Sequence, residues 1–179
     1  MRSPDPVIFM EQRGLYYAIE AEVPHGDHVV NIGEARVAVE GADATIVALG
    51  AMVHVAERVA ETLAREDGVS VEVIDPRTLV PLDERTILDS VRKTGRLVVA
   101  HEAHRTGGFG AEIAAEKAFG DLTAPVLRCA ARDVAIPAGT AALRVLPGVA
   151  DLTATVRRVL GWACPRPGTS LGALRRANA

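Results

Sequence analysis

The sequence predicts an α/β fold, three layers deep (α/β/α), with a mostly parallel sheet between two layers of helices. Short apolar runs alternate with amphipathic stretches at a spacing of roughly 25 residues, the rhythm of repeated strand–helix units. The 179-residue chain is 49% hydrophobic but has only three Phe, two Tyr and one Trp. Its core is therefore Val, Ala, Leu and Ile, which suits parallel strands covered by alanine-rich helices. Right-handed crossovers then bring the strand carboxyl ends to one rim, where open α/β sheets bind ligands and partners.

Taken in order, Val7-Ile8-Phe9-Met10 reads as a short strand and Glu11 to Ile19 as a polar continuation. Tyr16 and Tyr17 have little neighbouring sequence to bury them, so residues 1–19 look like the end of something larger and Phe9, Tyr16 and Tyr17 are expected to be exposed. Residues 20–34, with Pro24, Gly26 and Asp27, read as a linker. The regular pattern occupies residues 35–161. Arg36-Val37-Ala38-Val39 alternates as a half-exposed strand, and Thr45 to Leu49 is a continuous apolar one. The following helix sets Val53, Ala56, Ala60, Leu63 and Ala64 on one face and stops at Gly68. A strand over Val69 to Ile74 runs into Asp75-Pro76-Arg77; Asp83 caps a helix with Ile87, Leu88 and Val91 inward, closed by Gly95. Leu97 to Ala100 is the next strand, followed by a helix through Ala111, Ala114, Ala118 and Phe119. Val126 to Cys129 is the last strand, and the final helix carries Leu152, Val156, Val159 and Leu160. Residues 162–179, basic with Arg166, Arg175 and Arg176, read as a flexible tail.

The formal charge is −3, so nucleic-acid binding has no bulk electrostatic support. No apolar run is long enough to span a membrane and Met1-Arg2-Ser3-Pro4-Asp5 opens no signal peptide. Cys129 and Cys164 are isolated thiols without metal-ligand spacing, which suits a reducing cytoplasm.

The segment from Gly95 to Gly110 organises the chain: a strand that stops abruptly at His101-Glu102-Ala103-His104-Arg105-Thr106 and turns on glycines into a helix. Strand alternation through Glu102 points His101 to one face and Glu102 to the other. His101 and His104 alone do not define a metal site. His104 and Arg105 suit an anionic substrate or a neighbouring subunit as well as they suit a plain polar surface. Gly107, Gly108 and Gly110 either allow the turn or let backbone N–H groups approach a ligand or partner. Their spacing is not that of a nucleotide loop. Arg77 suits a carboxylate ligand, or more plainly a salt bridge to Asp75 or Glu102. No nucleophile and base pair up in the sequence, and no residue is read as catalytic, cofactor-binding or metal-ligating.

Pro4-Asp5-Pro6-Val7-Ile8-Phe9-Met10-Glu11, Gly50-Ala51-Met52-Val53, the run from Val73 to Asp83, Lys93-Thr94-Gly95-Arg96 and the run from His104 to Glu112 together resemble the beta subunit of the thiamine-diphosphate-dependent 2-oxo acid dehydrogenases (the pyruvate, branched-chain and acetoin E1 enzymes). The resemblance runs from the start to about Leu160 and is specific for the carboxyl-terminal domain, which has the transketolase C-terminal domain fold. It implies that residues 1–19 are the remnant of a pyrimidine-binding domain, most of it missing, whose cofactor glutamate and active-site histidine have no counterpart here. It implies further that thiamine diphosphate and Mg belong to the complete heteromeric enzyme, not to this chain alone. Glu102, His104, Arg105, Thr106, Gly107 and Gly108 become interface or channel-lining candidates. The implied function is a component inactive alone, contributing subunit association to oxidative decarboxylation of a 2-oxo acid with acyl transfer to lipoyl. The implied partners are a second copy in a homodimer, an E1 alpha-like subunit, a chain supplying the missing domain and the E2 acyltransferase. The alternative is a stand-alone structural or protein-interaction module derived from that subunit. Which 2-oxo acid is used is not legible.

Overall fold

The structure, a computed structural model, describes residues 3–116 and 120–162. The expected tail, apart from Trp162 at its start, and the helix positions Ala118 and Phe119 lie outside the described residues. Nine elements form the body: β1 (Arg36–Val39), β2 (Ala44–Ala48), α1 (Met52–Asp67), β3 (Val71–Asp75), α2 (Glu84–Thr94), β4 (Leu97–His104), α3 (Gly110–Glu116), β5 (Leu127–Ala131) and α4 (Val149–Leu160). They make a five-stranded sheet in the order β1-β3-β2-β4-β5. All pairings are parallel except β1 with β3. The three-layer α/β/α arrangement is the one expected.

Period-two alternation distributes the strand side chains between two cores. Ile46, Val73, Val98 and Ala100 face α1 and α4, packing on Val59, Leu63 and Val156. Val47, Ile74, Leu97 and Val99 face the other layer and pack on Ile87, Val91 and Ile113. Both longer crossover helices end as their sequence dictates: Gly68 and Gly95 adopt φ of 65° and 67°, the left-handed backbone that closes a helix. Asp83 caps α2, its Oδ1 accepting from Thr86 N–H at 3.1 Å, and its Oδ2 accepts from Ala35 N–H at 2.9 Å. One carboxylate thus fixes both a helix start and the approach to β1.

Three differences from the sequence reading have physical causes. Val7–Met10 is not a strand: it is extended but unpaired, with Ile8 90% exposed, because no neighbouring strand accepts its backbone groups. Phe9, Tyr16 and Tyr17 are exposed as expected. β3 begins at Val71 rather than Val69, because Ser70 N–H and O are used by the preceding turn, with Asp43 Oδ2 accepting at 2.7 Å. β4 continues to His104 rather than stopping at Ala100, carried by pairing with β5 across a register shift between Ala100 and His104.

Candidate functional site

The extension of β4 puts its charged residues on the carboxyl rim with defined sides. His101 shares parity with Leu97 and Val99 and points inward; it is 2% exposed. The glycine loop lies directly on its ring. A Cβ at Gly110 would come well inside 3.0 Å of His101 Cδ2 and Nε2, and one at Gly108 would lie 2.7 Å from His101 Cε1. These glycines therefore allow the loop to close over an imidazole. Burial, with the Arg128 guanidinium adding to it, pushes the His101 pKa below its ordinary value, so the ring is neutral at pH 7. Neither ring nitrogen has a hydrogen-bond partner among the described residues.

The outer residues are tied down by a second loop. His104 Nε2 donates to Val134 O at 2.8 Å, which assigns the ring proton to Nε2. Thr106 N–H and Oγ1 donate to the two oxygens of Asp133, both at 2.9 Å. Those two bonds from Thr106, with the nearby His104 and Arg105 adding attraction, hold the Asp133 carboxyl below the usual carboxylate range. Arg105 N–H donates to Ala131 O at 3.1 Å, while Arg105 and Arg128 donate through their guanidiniums to each other's carbonyl oxygens at 3.4 and 2.8 Å. Glu102 turns the other way and accepts from Gln12 Nε2, a point where the exposed N-terminal segment grips the rim.

Across the loop, Gly107, Gly108 and Phe109 form one wall of an apolar groove of about 570 Å³ whose other wall is Leu79, Pro81 and Leu88. Arg77 does not pair as expected. It is its N–H that reaches Asp75 Oδ1, at 3.1 Å, and the Asp75 carboxylate sits 3.7 Å from Arg36. The six interface candidates thus divide: Glu102 meets Gln12; His104, Arg105 and Thr106 meet Val134, Arg128 and Asp133; and Gly107 and Gly108 line the groove. Sequence reasoning did not pair them with Asp133, Val134, Arg128 and Gln12, which lie far from them along the chain. Strand parity set His101 and Glu102 on opposite faces; the burial of His101 comes from the glycine loop over its ring.

Chemically, the surface is a fastened platform. Its inner imidazole is sealed and its outer imidazole is committed to a carbonyl. Among the described residues no three or more His, Cys, Asp or Glu side chains are grouped to hold a metal ion. The donor set for a metal-bound diphosphate is not assembled among them.

The family described as transketolase, C-terminal domain, matches residues 33–149. The chain is similar to the pyruvate dehydrogenase E1 component subunit beta of Bacillus subtilis, 43% identical over 163 residues, covering 89% of this chain and 50% of that protein. It is similar to the protein of the same name from Staphylococcus aureus at 43% over the same length and coverage. Among solved structures it resembles a split gene transketolase described as an inactive beta4 tetramer, with 31% identity and a TM-score of 0.66, covering 78% of this chain and 45% of that one. The chain spans about half the length of the curated relatives it matches.

Proposed function

Because this chain belongs to the transketolase C-terminal domain family, we propose that it is the association half of a 2-oxo acid dehydrogenase beta subunit, unable to turn over substrate alone. The observation that carries this reading is the construction of the rim. Glu102, His104, Arg105 and Thr106 are engaged by Gln12, Val134, Arg128 and Asp133 rather than presented to a reacting atom, and Ile8, Phe9, Met10 and Tyr17, in the same segment as Gln12, offer exposed apolar surface for another polypeptide. The similarity to beta subunits supports the same conclusion. In the complete enzyme, thiamine diphosphate with Mg supplies the carbanion chemistry of decarboxylation and acyl transfer to lipoyl. This chain supplies a rigid rim against which a second copy, an alpha-type subunit, a pyrimidine-binding half and the acyltransferase core assemble. The homodimer forms through the α/β body.

The test is thiamine-diphosphate-dependent decarboxylation of pyruvate and of a branched-chain 2-oxo acid, by the chain alone and mixed with chains encoded beside it. Activity confined to the mixture supports the proposal and identifies the substrate. Turnover by the chain alone overturns it. Neither activity nor co-purification replaces it with the stand-alone interaction module. Sedimentation equilibrium at tens of micromolar that returns only monomer removes the homodimer.

A further inference from the structure

A second cleft, of about 310 Å³, opens where β5, the 3-10 turn Gly139–Arg144 and one side of α4, from Asp151 to Arg158, converge. Arg105, Arg128, Arg132, Arg144 and Arg158 line it, and Asp151 is the one acidic side chain among the lining residues. Five positive charges thus face one negative charge, in a chain whose formal net charge is −3. Asp151 is already engaged, its Oδ2 accepting from Gly148 N–H at 2.9 Å. Among the described residues none of the five guanidiniums forms an ion pair, whereas Arg36, Arg92 and Arg157 elsewhere do. A cleft lined by one sign of charge raises the local concentration of the opposite one, here an anion.

The cleft is also partly rigid before any ligand arrives. Arg105 and Arg128 each reach the other's backbone carbonyl through one guanidinium nitrogen, at 3.4 and 2.8 Å, which tethers both side chains and leaves other N–H groups of each fork to donate. The floor carries no opposing charge: Cys129 is 5% exposed, and burial pushes its thiol pKa up to about 11. Guanidinium forks match the oxygen spacing of phosphates and bind them through paired charge-assisted bonds. The volume sits near the lower bound of small-molecule pockets, roughly 300 Å³, too small for a structured macromolecular segment.

We propose that this cleft is a binding site for a small, multiply charged phosphate anion, with Arg144 and Arg158 reaching it from opposite walls and Arg105 and Arg128 seating it. The site meets the association surface at Arg105 but does not depend on that reading, since Arg128, Arg132, Arg144 and Arg158 lie outside it. Calorimetric titration of the full chain with inorganic pyrophosphate and with inorganic phosphate tests it. Pyrophosphate is expected to bind at least tenfold tighter than phosphate. Arg144→Ala/Arg158→Ala is expected to weaken pyrophosphate at least tenfold with an unchanged circular dichroism spectrum, while Arg65→Ala, on α1, leaves the affinity unchanged. If the double variant loses its fold, the single variants Arg144→Ala and Arg158→Ala give the same readout, each with a severalfold loss. The proposal is overturned if no heat appears with millimolar pyrophosphate, if R65A weakens binding as much as R144A/R158A, or if a hexaglutamate peptide binds through these arginines and pyrophosphate does not.

Discussion

Gly110 is the residue at which the reading of the rim is most sharply exposed to test. As the first residue of α3, it would by helix propensity alone be improved by alanine, by up to about 1 kcal/mol. The structure predicts the opposite sign. An added Cβ would lie under 3.0 Å from His101 Cδ2 and Nε2 and 3.1 Å from Val99 Cγ1, against an ordinary contact of 3.4–4 Å. The ring cannot retreat, since it is 2% exposed with Val99 fully buried beside it. Overpacking of this kind costs about 1–3 kcal/mol, and taking about 2 kcal/mol for Gly110→Ala gives a fall in Tm of about 4–8 °C for a chain of this size. His101→Ala removes the ring and by itself costs about 2 kcal/mol through lost packing, tempered because no hydrogen bond is broken. With the ring gone the new methyl has room, so the double variant should cost about 2 kcal/mol rather than the sum, a coupling of about 2 kcal/mol. Guanidinium denaturation followed by circular dichroism on all four proteins measures the cycle. Additive losses, or a G110A protein as stable as the parent, would refute the idea that the glycines exist to admit the imidazole.

Two further outcomes follow from polar contacts. For Asp83, burial pushes the pKa up, but the Ala35 N–H, the Thr86 hydroxyl and the Thr86 N–H together outweigh it and hold the carboxyl below its ordinary range. Its stabilisation is therefore present above the unfolded-state pKa of about 3.9 and is lost as pH falls through the folded value. Asp83→Ala should cost about 1–2 kcal/mol at pH 7 and progressively less below about pH 4, measured by urea melts across that range. Glu72 is 2% exposed and its carboxylate is held by Lys93, with Gly41 N–H also donating. Lys93→Met strands that charge and should cost about 2 kcal/mol, below the roughly 3–5 kcal/mol of a fully buried pair because the lysine is half in water. Adding Glu72→Gln should recover part of the loss, and a double variant worse than the single would contradict this account.

The sheet and its helices were legible because they rest on local periodicity: the run from Thr45 to Leu49 and the apolar face of α1 each announce their environment within a few residues. Val7–Met10 misled for the same reason. Its composition is that of a strand, but a strand needs a partner, and pairing is not a local property. Within the rim, strand parity separated His101 from Glu102, but which of them is buried depends on the glycine loop that closes over the imidazole. The partners of His104 and Thr106 could not be read, because Val134 and Asp133 are ordinary loop residues that matter only once β5 is seated beside β4. The arginine cleft is the extreme case. Its members are scattered from Arg105 to Arg158 and only Arg105 stands in a motif, so only the meeting of β5 with α4 reveals them as a group.

The one antiparallel strand has a consequence for how this chain meets others. Because Arg36 at the start of β1 lies opposite Asp75 at the end of β3, the chain enters the sheet from the carboxyl rim. The exposed apolar segment ahead of it is consequently leashed at that rim, and Gln12 already touches Glu102 there. A polypeptide that grips the leash and the rim together binds in two steps, the second within one molecule. For short tethers the effective concentration of that second step is in the millimolar range. Two weak contacts then add up to a durable one, and cutting the chain between them would abolish the gain while leaving each contact intact.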